Sequence, residues 1–132
     1  NVFNIKVVET AEKELLDWGI TLSAKDISAN GMTLIINQKD GKPLGELTMG
    51  CDYKLEKMVE NEWQPVPEII DNAAWTTEAY MIKHGDVTEF EINWNWLYGE
   101  LPEGEYRIIK PIMDFKAIGD NTIQDYTFEF KI

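Results

Sequence analysis

The sequence predicts an all-β fold, an antiparallel two-sheet sandwich of seven to nine short strands, on three observations. Short runs alternate apolar and polar residues with period two, from Ile20, Leu22 and Ala24 to Tyr126, Phe128, Phe130 and Ile132. Turn-forming clusters such as Ser28-Ala29-Asn30-Gly31 and Gly119-Asp120-Asn121 separate those runs at the spacing of a sandwich. The stretch from Phe90 to Ile108 reads as strand, corner, strand. Phe90, Ile92, Trp94 and Trp96 share one face, the chain breaks at Gly99 and Pro102, and it restarts at Tyr106. The spacing Leu101, Gly104, Tyr106 is that of a tyrosine corner, whose hydroxyl bonds backbone a few residues upstream, here near Leu101 or Pro102. The sandwich is therefore immunoglobulin-like.

The elements follow in order. Phe3, Ile5 and Val7 alternate against Asn4 and Lys6 as in a half-buried strand. Next comes either one or two turns of helix, capped by Thr10 with Glu12 in its first turn, Ala11, Leu15 and Trp18 at helical spacing and Gly19 as the stop, or an irregular lead-in. Residues 1–18 thus form an N-terminal extension packed on the domain, and residues 19–132 form the sandwich. Ile20 to Lys25 and Met32 to Ile36 make a hairpin in which Asn30-Gly31 supplies positive φ. After a Gly- and Pro-containing loop, Tyr53 to Val59 alternates, and Glu60-Asn61-Glu62 turns into Trp63, Val66 and Ile69. There Pro65 and Pro67 predict an edge strand or extended loop. In Ala73 to Ile82, Trp75, Ala79 and Ile82 suit a helix while Thr76, Thr77 and Tyr80 suit a strand, and a short edge strand is the preferred reading. The last two strands run from Tyr106 to Met113 and from Tyr126 to Ile132, with Asp114 to Asp125 as the loop between them.

One domain accounts for all 132 residues, a length that buries roughly two thirds of the unfolded chain's surface. With 44% hydrophobic residues, core material is ample, so the net charge of −12 does not imply disorder. That charge repels phosphate backbones and anionic membrane surfaces, which argues against nucleic acid, and its plain consequence is solubility. Cys51 is the only cysteine, which rules out an intramolecular disulfide and predicts a small buried hydrophobe. No signal peptide and no apolar run long enough to cross a bilayer is present, so the domain itself does not insert in a membrane. The start at Asn1 rather than Met fits a processed or trimmed chain, so a missing targeting segment carries little weight.

The stretches GITLSAKDISANGMTLII, LTMGCDYKLEKMVENEW and AAWTTEAYMI, and above all WNWLYGELPEGEYRIIKPIMDF, resemble a family of bacterial Ig-like domains. The resemblance covers Gly19 to Ile132, and its most specific elements are Trp96-Leu97-Tyr98-Gly99 and Gly104-x-Tyr106-Arg107-Ile108. It implies a sandwich module of exported or membrane-anchored proteins, chiefly of Gram-positive gut bacteria, with no established activity. Cys51, where a small polar residue is usual, and Asn61-Glu62, where an Asp-Gly type of turn is common, depart from the family's pattern.

No catalytic constellation emerges from the residues. His84, the only histidine, lacks a nucleophile and an orienting acid at any supporting spacing and reads as a surface turn residue. An enzyme is not expected, and neither is a cofactor. Five tryptophans in an acidic chain invite a carbohydrate-binding reading. Trp94 and Trp96, on one face with Phe90 and Ile92, are assigned to the sandwich core or its end, buried as structural residues alongside Tyr106. Trp63 and Trp75, near turns and prolines, and Tyr80 are then the ligand-binding candidates. Asp114, Asp120, Asn121 and Asp125 gather oxygen ligands around one predicted loop and form a weak Ca²⁺ candidate, at a spacing unlike the dense loops that hold this ion. The expected function is a non-catalytic, extracytoplasmic binding or spacer module of a bacterial surface protein, meeting a protein or glycan partner through loops or an edge strand. The alternatives are a carbohydrate-binding module and an accessory or sensor domain of a membrane-anchored regulatory protein.

Overall fold

The computed structural model describes residues 16–43 and 45–132. The readings placed on residues 3–15, the first strand and most of the short helix, lie outside the described residues. Leu16 to Gly19 adopts no regular element, and Trp18 is buried against Tyr126, ring centroids 6.4 Å apart.

Nine strands follow: β1 (Ile20–Lys25), β2 (Gly31–Gln38), β3 (Glu46–Met49), β4 (Lys54–Val59), β5 (Glu62–Pro65), β6 (Tyr80–Ile82), β7 (Val87–Asn93), β8 (Glu105–Ala117) and β9 (Asp120–Lys131). All pairings are antiparallel. Among the described residues one sheet has three strands in the order β1-β2-β7, and the other has six. In the larger sheet β9 lines one edge of β8 along its whole length, while β4 and β3 divide the other edge and lead outward to β5 and β6. Alternation dictates the two faces. In β8, Tyr106, Ile108, Lys110, Ile112 and Asp114 point inward while the odd-numbered residues point outward. β2 is flanked on both sides and buries Met32, Thr33, Leu34 and Ile36. The core between the sheets unites Leu34, Ile36, Leu47, Leu55, Ile108 and Ile112 with Trp94 and Phe130, and Phe128 packs against it half-buried. Each aliphatic side chain fully buried there contributes about 1.5–3 kcal/mol.

The corner forms as its spacing requires. The Tyr106 hydroxyl donates to the Pro102 carbonyl at 2.7 Å, and its ring stacks on Phe130, which stacks in turn on Trp94. The Trp94 indole N–H donates to the Ala29 carbonyl at 2.8 Å, tying the corner to the β1–β2 turn.

Five expectations require correction. Gly31 opens β2 without positive φ, and that turn's left-handed residue is Asp26; glycine is needed at position 31 because a Cβ would lie 2.1 Å from the Ile92 carbonyl oxygen. Trp96 is not in the core. β7 ends at Asn93, and the turn closed by Tyr98 N–H to Trp94 C=O and Gly99 N–H to Asn95 C=O swings Trp96 outward, leaving it 42% exposed. The segment from Asp114 to Asp125 is mostly strand, with Ile118-Gly119 as the loop and a bulge at Asp120/Asn121. Of Ala73 to Ile82, only Tyr80–Ile82 is strand, and residues 66–79 form a long irregular connection after the edge strand β5. Cys51 is half-buried rather than enclosed. The Glu60-Asn61 turn is a two-residue hairpin with positive φ at both residues, the form that suits the strand twist.

Candidate functional site

The edge strand β7, the 50–53 loop after β3 and the irregular 73–79 segment surround a hollow of about 260 Å³ at the side of the sandwich. β7 supplies Phe90, Glu91, Ile92 and Asn93, and the turn beyond it returns Trp96 to the rim. The 73–79 segment contributes Trp75 and Thr76, and β6 adds Tyr80. The rings meet at steep angles. Trp75 lies 5.1 Å from Trp96 with planes at 86°, and 5.1 Å from Tyr53 at 61°. Tyr80 meets Phe90 at 5.3 Å and 60°. Such edge-to-face contacts complement the negative ring faces with positive ring edges.

Polar groups frame these rings. The Cys51 thiol lies 3.1 Å from the Thr76 hydroxyl. The Thr76 and Tyr80 hydroxyls both donate to Glu78, at 3.3 and 3.2 Å. Tyr53 is 5% exposed, and among the described residues its hydroxyl has no hydrogen-bond partner. Burial pushes that phenol well above its ordinary pKa, with Tyr98 and Cys51 adding to the effect. Beneath the rings Lys110 is fully buried. Its ammonium donates to the Gly50 and Asp52 carbonyls, clasping the loop that presents Cys51, and it lies 4.8 Å from the Phe90 ring centroid. Burial lowers its pKa to about 8, against the opposing influence of Asp52.

Of the sequence-derived ligand candidates, the structure brings Trp75 and Tyr80 to this hollow and leaves Trp63 out. Trp63 sits on β5, where the Arg107 guanidinium covers its ring at 4.7 Å while pairing with Glu56. The Ca²⁺ candidates do not converge. Asp114 faces inward and accepts the Gly45 N–H at 2.7 Å, Asp120 sits by Lys116 at the hairpin tip, and Asp125 is exposed opposite Pro111. Among the described residues no group of three His, Cys, Asp or Glu side chains is disposed to hold a metal ion. His84 is exposed in the β6–β7 turn. The sequence reading missed Trp96, Phe90, Tyr53 and Lys110 as parts of the site. For Lys110 a signal existed, since a charge occupies the inward phase of the strand Tyr106, Ile108, Lys110, Ile112.

A second concavity of about 540 Å³ crosses the outer face of the larger sheet, where Ile123, Met113, Thr48 and Met81 form one cross-strand row. Its lining mixes Ile112, Met113 and Ile123 with Thr48, Thr77 and Glu78.

No helix among the described residues is long and apolar enough to cross a membrane. The family profile described as bacterial Ig-like domain matches residues 16–131. No curated protein and no solved structure matches the chain.

Proposed function

Because the chain belongs to the bacterial Ig-like domain family, we propose that it is a non-catalytic, extracytoplasmic binding module that engages its partner through the hollow beside β7. The observation that carries this reading is the convergence of Trp75, Trp96, Tyr80 and Phe90 from three separate segments on one open concavity. A pure spacer has no need to hold Trp96 in solvent. Scattered exposed apolar residues are ordinary, but here the exposed indole adjoins a contiguous aromatic surface with a polar rim, which is the form of a binding site.

A glycan is the second reading. Trp75 and Tyr80 share the hollow with Thr76, whose hydroxyl, like the Glu78 carboxylate it contacts, can bond sugar hydroxyls.

The test has two parts. Protease treatment of intact producing cells, followed by detection of the domain, is expected to remove it; full protection would remove the extracytoplasmic assignment. Saturable ligand-induced shifts of the Trp75 and Trp96 indole resonances, across a panel of small ammonium compounds and sugars, are expected from a binding module. A panel that moves neither resonance would leave a spacer.

A further inference from the structure

The geometry points to a ligand class for this hollow, an inference that rests on the binding reading above: we propose that it receives an alkylammonium head group, seated against Trp75, Trp96 and Tyr80 beside the Glu78 carboxylate that the Thr76 and Tyr80 hydroxyls hold at the rim. Shape is the first argument. A pyranose stacks on a broad flat face, whereas these rings stand steeply to one another, Trp75 and Trp96 at 86° and Tyr53 and Trp75 at 61°. Walls at such angles suit a compact, rounded group that touches several rings at once, and an ammonium is the group whose attraction to ring faces is electrostatic as well as apolar. A hollow of about 260 Å³ has room for such a head group rather than for an extended chain.

Charge is the second argument. Among the described residues lining the hollow there is no basic side chain. The Glu78 carboxylate accepts from the Thr76 and Tyr80 hydroxyls at the rim, and the whole chain carries −12. The field at this rim therefore draws cations and repels anions. Lys110 does not fill the role. It lies 4.8 Å from the Phe90 ring centroid, with its protons directed to the Gly50 and Asp52 carbonyls, so a cationic ligand sits toward the tryptophans and away from Phe90.

The probes are tetramethylammonium and choline, titrated at constant ionic strength, with the uncharged tert-butyl isostere of choline as the control for simple apolar binding. Both ammonium salts are expected to shift the Trp75 and Trp96 indole N–H resonances saturably while leaving those of Trp18 and Trp94 in place, and the neutral isostere is expected to bind about tenfold more weakly. Trp96→Ala and Glu78→Gln alter exposed side chains and should leave the unfolding midpoint nearly unchanged; each should weaken the ammonium response several-fold. Equal binding of the isostere would overturn the proposal, as would shifts centred on Trp63. Saturation by hexoses or N-acetylhexosamines without any response to ammonium would also overturn it while preserving the binding reading. Silence toward every probe would overturn both.

Discussion

Tyr106 and Tyr53 are both buried phenols in an aromatic cluster, and their surroundings differ in kind. Tyr106 places its hydroxyl 2.7 Å from the Pro102 carbonyl, four residues back, inside a stack that runs through Phe130 to Trp94. Tyr53 meets Trp75 edge-on, and among the described residues its hydroxyl bonds nothing. The corner is assembled from a local offset and closed by hydrogen bonds. The hollow is assembled from segments far apart in the chain and leaves polar capacity unused. One region is closed on itself, and the other leaves ring surface and a hydroxyl uncommitted, the division that the proposed binding role asks of a rigid scaffold and its edge.

The largest test of that contrast removes the centre of the corner. Trp94→Ala deletes a fully buried indole, its stack on Phe130 and its bond to the Ala29 carbonyl, and should destabilise by about 3–5 kcal/mol in urea unfolding. Trp96→Ala, two residues on, should cost little by comparison. Similar losses for the two would erase the distinction between corner and hollow.

Lys110 sharpens the comparison from the other side. Its pKa falls from 10.5 to about 8 on folding, so between those values the unfolded chain binds more protons than the folded one. Stability therefore rises with pH across this window, because the buried ammonium is relieved of its charge. The rise from about pH 7 to about pH 9.5 should be on the order of 2 kcal/mol. Above about pH 10 the trend reverses, since Tyr53, Tyr98 and Tyr126 are all held above the ordinary phenol value, chiefly by burial. Denaturation curves across this range should show the rise in the natural protein and a flat profile in Lys110→Met. An unchanged slope in the variant would assign the effect to other groups.

A smaller effect is expected at the corner hydroxyl. Tyr106→Phe keeps the ring in its stack and deletes only the bond to Pro102, a loss of about 1–2 kcal/mol that leaves the Pro102 carbonyl short of a donor. A neutral result would mean that the stack alone secures the corner.

The two regions also differ in how far the sequence discloses them. The corner was legible because its determinants are close together: Leu101, Gly104 and Tyr106 fix the offset, and the strand from Tyr106 shows its alternation openly. The sandwich and its last two strands were legible for the same reason. The hollow was only half legible. Trp75 and Tyr80 stood near turns and could be named, but Trp96 was read in phase with Trp94 because nothing in the alternation announces that β7 stops at Asn93 and turns. Trp63 resembled Trp75 in its setting, and only the fold shows Arg107 lying on its ring. Asp114, Asp120 and Asp125 looked like one loop's ligands until the hairpin placed them on different faces and at different heights. Convergence from distant segments is a property of pairing and register, and local pattern carries no record of it.

The smallest expected effect has the opposite sign to that at the corner and is the sharpest test of the contrast. In Tyr53→Phe the ring stays against Trp75 at its 5.1 Å spacing, and the atom removed is a buried hydroxyl oxygen without a partner among the described residues. Leaving such a group unpaired carries a desolvation penalty that an apolar replacement of the same shape does not. The substitution should therefore stabilise the domain, by about 1 kcal/mol, where the same chemical change at position 106 destabilises it. Paired urea titrations of the two variants measure this directly. If Tyr53→Phe instead lost as much stability as Tyr106→Phe, the Tyr53 hydroxyl would have a bonding partner after all, and the hollow would belong with the corner as part of the structural frame.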